Sequence, residues 1–184
     1  MTPSPRPARS RCCTRWTWKA PAPTTTWNWR SASSPNWVGS TPLEHTDPAA
    51  FARAVHVNLT APWWLVQACL PLLRQAPDAA LVLAVDDPQR VGQAYWGGYG
   101  VAQHGLRALL GMLSAELANT AVRVAGLQPG PMRTGLRARA YAEDHDRRLA
   151  DAAAYAGACV TLLSPAGAAH RGTIWAPEAD ALPA

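Results

Sequence analysis

The run Ala80-Leu81-Val82-Leu83-Ala84-Val85 is the most informative about the fold, because a short apolar run rich in leucine and valine is typical of a strand buried on both faces of a parallel sheet. A helical segment follows from Tyr99 to Ala118, and its leucines fall on one side: Leu106, Leu109, Leu110, Leu113 and Leu117. Ala121 to Leu127 then predicts the next strand. A strand, a helix and a strand in this order indicate a right-handed βαβ unit and a parallel sheet covered by helices.

The segments on either side continue the alternation of helix and strand. Asp47-Pro48 predicts the start of a helix over residues 48–75, with the aspartate as N-cap and the proline at the first helical position. Apolar residues recur in it at helical spacing and predict one buried stripe: Phe51, Val55, Leu59, Trp63, Val66, Leu70 and Leu73. Further on, residues 149–163 predict a helix and residues 172–176 a last strand. The predicted fold class is therefore α/β.

Length and composition limit the class of protein. The chain has 184 residues, which suits one α/β domain. Apolar residues make up 48% of it, yet no run approaches the ~20 residues needed to cross a bilayer, so no membrane partner is expected. The first ten residues lack the apolar region of a secretory signal, and a cytoplasmic location is expected. The four cysteines show no metal-type pairing, so no metal site is predicted.

The net charge of +5 raises the question of nucleic-acid binding. Residues 1–43 hold six of the 17 basic side chains and none of the 12 acidic ones, which leaves the rest of the chain at −1. A basic tail with interleaved tryptophans is thus the one candidate for phosphate contacts and base stacking. Because the charge is confined to that tail, no nucleic-acid partner is predicted.

Residues 1–36 differ in composition from the remainder. They show no helical or strand period, and four tryptophans occur among prolines and small residues, at Trp16, Trp18, Trp27 and Trp29. Disordered segments are poor in aromatic residues, so disorder alone does not explain this composition. Tryptophan has the single codon TGG. When the codons of this segment are read one base earlier, Trp-Thr and Trp-Lys give aspartate and glutamate, and the translated segment has the composition of an ordinary globular protein. We therefore expect residues 1–36 to be a non-globular, frameshifted leader to a domain over residues 37–184, the alternative being a natural low-complexity leader.

Three motifs occur in the order found in short-chain dehydrogenases/reductases. Residues 57–62 read Val-Asn-Leu-Thr-Ala-Pro, Tyr99 follows the next strand, and residues 129–134 after the strand beyond it read Pro-Gly-Pro-Met-Arg-Thr. Over residues 37–184 the chain resembles this family, most of all a bacterial branch of uncharacterised or oxoacyl-carrier-protein-reductase-like members. The resemblance implies a partial Rossmann-like, doubly wound parallel sheet that lacks its N-terminal βαβ units. It also implies an NAD(P)-dependent oxidoreductase that acts on a small-molecule carbonyl or alcohol substrate.

The resemblance implies that Tyr99 is the catalytic acid or base. Phenol has a pKa near ~10, and the family lowers it with a lysine four residues on, where this chain has Gln103. A serine of the family stands 13 residues before the tyrosine, and Asp86 is the nearest match here. An ionised carboxylate at that position would repel a developing oxyanion. Two of the four catalytic positions are thus changed, and the chain is expected to be catalytically impaired.

The fourth catalytic position is Asn58. Pro62 has no N–H, so the carbonyl of Asn58 loses its helical partner and can hold a water. In the family that carbonyl and water belong to a proton relay. The other interpretation of Asn58 is a buried asparagine that braces neighbouring strands, and the sequence leaves both open.

The resemblance places Pro129, Gly130 and Thr134 beside the nicotinamide of the cofactor. The glycine-rich turn that holds the pyrophosphate has no counterpart in residues 1–40, so cofactor binding by this chain is expected to be weak. This leaves two hypotheses: a truncated and impaired NAD(P)-dependent oxidoreductase, or a non-enzymatic member that acts as a pseudoenzyme or interaction module.

Two further expectations come from the family. The helices that contain Asn58 and Tyr99 often form a dimer interface there, so a homo-oligomer is predicted, with contributions from Leu109, Leu113 and the Trp63-Trp64 pair. The alternative for each of these residues is the core of a single chain. Residues 141–148 are expected to form part of a mobile loop that covers the substrate.

Overall fold

The computed structural model describes residues 41–141 and 149–177. Their strands are β1 (Ala79–Ala84), β2 (Val122–Leu127), β3 (Met132–Arg133), β4 (Ala150–Asp151) and β5 (Ile174–Trp175). The helices are α1 (Pro48–Val55), α2 (Ala61–Leu73), α3 (Pro88–Val91), α4 (Gly97–Glu116), α5 (Gly135–Ala140) and α6 (Ala156–Leu163). Short 3-10 turns lie at Leu43–His45, Ala152–Tyr155 and Pro165–His170, and a π-helical turn at His56–Thr60 joins α1 to α2.

The main sheet is parallel, as the sequence predicts. Its order is β1-β2-β5, and β1 pairs with β2 in one register from Ala79 opposite Val122 to Ala84 opposite Leu127. All six residues of β2 are buried, because a helix covers each face of the sheet. Parallel neighbouring strands must be joined by a crossover connection, and α4 is the main helix of the connection between β1 and β2. The α/β, Rossmann-like fold is therefore confirmed.

Alternate residues of β2 face different helices. One side packs against the leucine face of α4, in a cluster that includes Val122, Val124, Leu106, Leu110 and Leu113. The other side packs against α6, where Ala125 and Leu127 join Ala158 and Leu162. This alternation with a period of two is what a strand inside a three-layer arrangement requires.

The long helical region over residues 48–73 is confirmed, and Asp47 caps it by accepting from the N–H of Ala49 at 3.3 Å and of Ala50 at 3.0 Å. The predicted buried stripe is wrong at Trp63, which is 43% exposed. Trp63 lies at the edge of the stripe, about 60° around the helix axis from Val66, where a side chain turns partly to solvent. Val66 itself is buried and packs on the core.

The segment 149–163 also departs from its prediction. Only its second half is α-helical, because Ala150 and Asp151 pair in parallel with Met132 and Arg133 in a separate two-stranded sheet, and a 3-10 turn comes next. Tertiary pairing here outweighs the helix propensity of an alanine-rich stretch. The predicted strand at 172–176 is confirmed in the shorter form of β5.

Several predictions lie outside the described residues. They are the leader over residues 1–36, the question of a glycine-rich turn in residues 1–40, and all of the predicted covering loop except Tyr141. No helix in the described ranges is long and apolar enough to cross a membrane. In the same ranges no three or more His, Cys, Asp or Glu side chains group together in a way that could hold a metal ion.

Candidate active site

The site lies where β1 and β2 end. The pairing of the two strands extends one residue beyond β1, because the N–H of Val85 donates to the carbonyl oxygen of Leu127 at 2.9 Å. Parallel α/β sheets bind ligands at this carboxyl edge. The first turn of α4 reaches the edge because it packs closely: a Cβ at Gly98 would lie 2.8 Å from the carbonyl oxygen of Phe51, and one at Gly100 would lie 2.1 Å from that of Val91. Glycines at both positions bring Tyr99 to the edge.

Tyr99 and Asp86 form a hydrogen-bonded pair. The hydroxyl of Tyr99 donates to Oδ2 of Asp86 at 2.9 Å, and Tyr99 is only 5% exposed. Burial raises the pKa of the Tyr99 phenol well above its ordinary value, and the neighbouring carboxylate raises it further by its charge and its hydrogen bond. The phenol is therefore held in its neutral form, in contrast to the lowered pKa that a neighbouring lysine would produce.

Asp86 is fixed from several sides. Its Oδ1 forms an ion pair with Arg90, one helical turn on, and accepts from the N–H of Asp87 at 2.7 Å. Burial lowers the pKa of Arg90, but the hydrogen bond and the charge of Asp86 outweigh it, so the net direction is upward and the guanidinium stays charged. The carboxylate thus faces a cation on one oxygen and a phenol on the other.

Gln103 holds the backbone of Asp86. It is 7% exposed, and its Oε1 accepts from the N–H of Asp86 at 3.0 Å. Arg107, one turn further along α4, donates to the carbonyl oxygen of Asp86 at 3.4 Å and to Oε1 of Gln128 at 2.9 Å. The structure therefore brings together three residues that the sequence singles out, Tyr99, Asp86 and Gln103. Their roles stay predictions.

Asn58 lies in the π-helical turn between α1 and α2. Its Nδ2 donates to the carbonyl oxygen of Ala54, one turn back, at 2.9 Å. The proline ring four residues later would clash with the carbonyl of Asn58 in a regular α-helix, and widening the turn relieves that contact. The neighbouring Leu59 packs against Gly105, where a Cβ would lie 2.7 Å from it, so this turn lies directly on α4. The bracing and relay interpretations of Asn58 both stay open.

The motif after β2 leads into α5. Thr134 is the N-cap of that helix, and its hydroxyl accepts from the N–H of Arg137 at 3.2 Å. A Cβ at Gly130 would lie 2.6 Å from the hydroxyl of Tyr155, so a larger residue there would require the Tyr155 side chain to shift. Pro129 and Gly130 are both half-buried. The sequence-predicted residues Pro129, Gly130 and Thr134 thus form one continuous segment beyond the carboxyl end of β2.

Aromatic contacts connect α5 to Tyr99. Trp96 lies between two tyrosine rings, with centroid distances of 5.8 Å to Tyr99 and 6.2 Å to Tyr141. The guanidinium of Arg137 lies 4.7 Å from the centre of the Tyr141 ring. Sequence reasoning missed this wall and also Arg90. The spacing of Asp86 and Arg90 by four residues was the signal that could have revealed the ion pair.

Comparisons with known proteins agree with this geometry. The profile of the enoyl-(acyl carrier protein) reductase family matches residues 30–176. The uncharacterised oxidoreductase YciK of Escherichia coli K12 is 30% identical over 108 residues, which is 59% of this chain and 42% of YciK. The chain therefore spans less than half the length of this curated relative.

Solved structures give the same result. The structure of the oxidoreductase yciK from E. coli matches with a TM-score of 0.70 and 25% identity, over 75% of this chain and 56% of that one. A chain from E. coli CFT073, solved in complex with NADPH, matches with a TM-score of 0.70 and 26% identity over 75% and 57% of the two chains. With a family profile over most of its length and solved relatives that share its fold, the chain belongs to the short-chain dehydrogenase/reductase family.

Proposed function

We propose that the protein is an NAD(P)-dependent oxidoreductase that acts on a small-molecule alcohol or carbonyl substrate. The observation that carries the proposal is the hydroxyl of Tyr99, hydrogen-bonded to a charged partner at the carboxyl edge of the sheet. A group that exchanges a proton with a substrate oxygen must be positioned and connected to a second proton site. Membership of the family and the NADPH bound to the relative from E. coli CFT073 support the same function.

The described residues fit the nicotinamide end of such a cofactor. Thr134 accepts one hydrogen bond from its own helix and keeps its hydroxyl proton for a carboxamide oxygen. The backbone at Pro129 and Gly130 connects the end of β2 to the segment that contains Thr134. When bound, the nicotinamide would accept or supply the hydride. Tyr99 would exchange the proton with the substrate oxygen, and the wall of Trp96, Tyr141 and Arg137 would limit the access of water.

A second candidate is a non-enzymatic member of the family that binds a ligand or partner. One observation favours it: the buried amide of Gln103 is engaged with the backbone of Asp86 and brings no charge to Tyr99. Without an ammonium the phenol keeps a raised pKa, and turnover by the family's route would be impaired. Fold alone does not decide between the two candidates.

Titration with NADPH followed by turnover assays separates the candidates. The 184-residue chain is titrated while tryptophan fluorescence is followed, and then assayed with NADP+ and secondary alcohols and with NADPH and ketones. Turnover with saturable binding supports the oxidoreductase. Binding without turnover supports the second candidate, and absence of binding contradicts the proposed function. Tyr99→Phe is the matched control, since it should bind NADPH as the wild type does and lose turnover by about 10²-fold or more.

The proposal includes a homodimer through the helices that contain Asn58 and Tyr99. Large apolar side chains are exposed on these helices, among them Trp63 at 43%, Trp64 at 52%, Val101 at 53% and Met112 at 60%. Leu113, in contrast, is buried in the core of the chain and contributes nothing to such an interface. Sedimentation velocity should give a dimer mass, and a monomer at micromolar concentration would contradict this part of the proposal.

A further inference from the structure

The hydrogen bond between Tyr99 and Asp86 has a defined direction. An ionised carboxylate only accepts, so the phenol proton lies on the side of Oδ2 of Asp86. The phenol oxygen therefore meets an approaching ligand as an acceptor. A ligand hydroxyl can donate to it, whereas a ketone oxygen has no proton to offer. The pair thus selects ligands that donate a hydrogen bond.

We infer that Asp86 is the terminal proton acceptor of a relay through Tyr99, and that this relay makes the site one for oxidising alcohols. The inference rests on the proposed function. Oxidised nicotinamide, when bound, would accept the hydride of the alcohol carbon, and the C=O bond would form as the O–H bond breaks. The alcohol proton moves to the oxygen of Tyr99 while the phenol proton moves to Oδ2 of Asp86. The products are a carbonyl compound, the reduced cofactor and a protonated Asp86.

The surroundings of the pair suit this role. Arg90 in α3 forms an ion pair with Oδ1 of Asp86, while Arg107 in α4 reaches its backbone carbonyl. Asp87 donates its N–H to the same Oδ1, and the Tyr141 ring packs on Trp96 on the far side of Tyr99. The side chain of Asp86 is 17% exposed, which gives the proton a route to water. Because burial disfavours a phenolate, both protons must move together.

Asp86→Asn is the decisive variant. The amide keeps nearly the shape of the carboxylate and can accept from Tyr99, but it cannot take up a proton. Oxidation of secondary alcohols with NADP+ should fall by about 10²-fold to 10⁴-fold. Glu116→Gln removes the same charge at the exposed far end of α4, so its oxidation rate should stay within about twofold of the wild type.

A second readout needs no cofactor. The absorbance of tyrosinate near 295 nm is followed after a rapid jump to alkaline pH, with Tyr99→Phe used to identify the Tyr99 component among the four tyrosines. Asp86→Asn should lower the pH at which Tyr99 ionises, because a negative neighbour is removed and Arg90 remains. Glu116→Gln should leave the pH at which Tyr99 ionises unchanged.

The outcomes are distinguishable. Equal Tyr99 titrations in the wild type and Asp86→Asn overturn the relay, whatever the activity. Turnover that is unchanged in Asp86→Asn also overturns it and leaves the proposed function intact. Wild-type protein that shows the coupled titration but oxidises no alcohol contradicts the proposed function and the relay together. A loss of oxidation in Asp86→Asn together with a lowered ionisation pH of Tyr99 supports both.

Discussion

Removing Asp78 should destabilise the fold more than replacing the arginine that it binds. Arg123 lies in β2 with a side chain only 10% exposed, while its partner Asp78 is 48% exposed. The guanidinium pairs with Asp78 and donates to the carbonyl oxygen of Ser164 at 3.1 Å. Within the part of the chain that the structure describes, its Nε has no hydrogen-bond partner. Arg123 therefore depends on Asp78, whereas water can solvate Asp78 without it.

The structure sets the magnitudes. Breaking a buried ion pair from one side costs about 3–5 kcal/mol, which the exposure of Asp78 reduces to about 2–3 kcal/mol for Asp78→Ala. Arg123→Met removes the buried charge and keeps an apolar side chain of similar length. The ion pair is lost too, but water solvates the exposed Asp78, so the remaining cost is the lost bond to Ser164, at about 1 kcal/mol. For a chain of this size the melting temperature should fall by about 4–12 °C in the first variant and by less than ~4 °C in the second.

Thermal and urea unfolding of the two variants test this order. Asp151→Ala serves as the control, since the ion pair of Asp151 with Arg133 is 3.6 Å long and both side chains are more than half exposed. It should change the free energy of unfolding by less than ~0.5 kcal/mol. The dependence of Arg123 on Asp78 is disproved if Arg123→Met costs as much as Asp78→Ala, or if Asp78→Ala behaves like Asp151→Ala.

Three more substitutions give measurable outcomes. Gly126→Ala should cost about 1–3 kcal/mol in urea unfolding, since its Cβ would lie 2.7 Å from side-chain atoms of both Ile174 and Leu110. Arg171→Ala removes a guanidinium that donates to three carbonyls after α4 at 2.8–2.9 Å, so hydrogen exchange in the last turn of α4 should accelerate. Because the pKa of Tyr99 is raised in the folded state, this phenol loses its proton at lower pH in the unfolded chain than in the folded one. The free energy of unfolding of the wild type should therefore fall above pH ~10 by up to about 1.4 kcal/mol per pH unit. Tyr99→Phe should lack this part of the pH dependence.

The hydrophobic pattern was sufficient to predict the βαβ core. Leu106, Leu110 and Leu113 face the sheet because a helix with 3.6 residues per turn brings these spacings to one side. The pattern failed at Trp63, which lies about 60° around the helix axis from the buried Val66, because apolar spacing does not show how wide a stripe the neighbouring elements cover. It failed again at Ala150 and Asp151, because local periodicity contains no information about a pairing partner almost 20 residues earlier.

The candidate site was predictable in its positions and not in its contacts. Sequence spacing identified Asp86 and Gln103 relative to Tyr99, and the structure brings all three together. From spacing alone, the carboxylate of Asp86 was expected to repel a developing oxyanion on the substrate. It could not show that Arg90 would neutralise one carboxylate oxygen while Tyr99 donated to the other, because both contacts depend on how α3 packs beside the first turn of α4.

Asp86 and Gln103 are best understood as one coupled change. A lysine at position 103 has three donors and no acceptor, so it could not accept the N–H of Asp86 as the amide oxygen of Gln103 does. It would also bring a second cation to a carboxylate that Arg90 already neutralises. The amide instead holds the backbone of Asp86 so that its carboxylate reaches Tyr99. In the proposed relay a carboxylate thus takes the place of the ammonium beside the phenol, and it is the group that exchanges the proton with Tyr99.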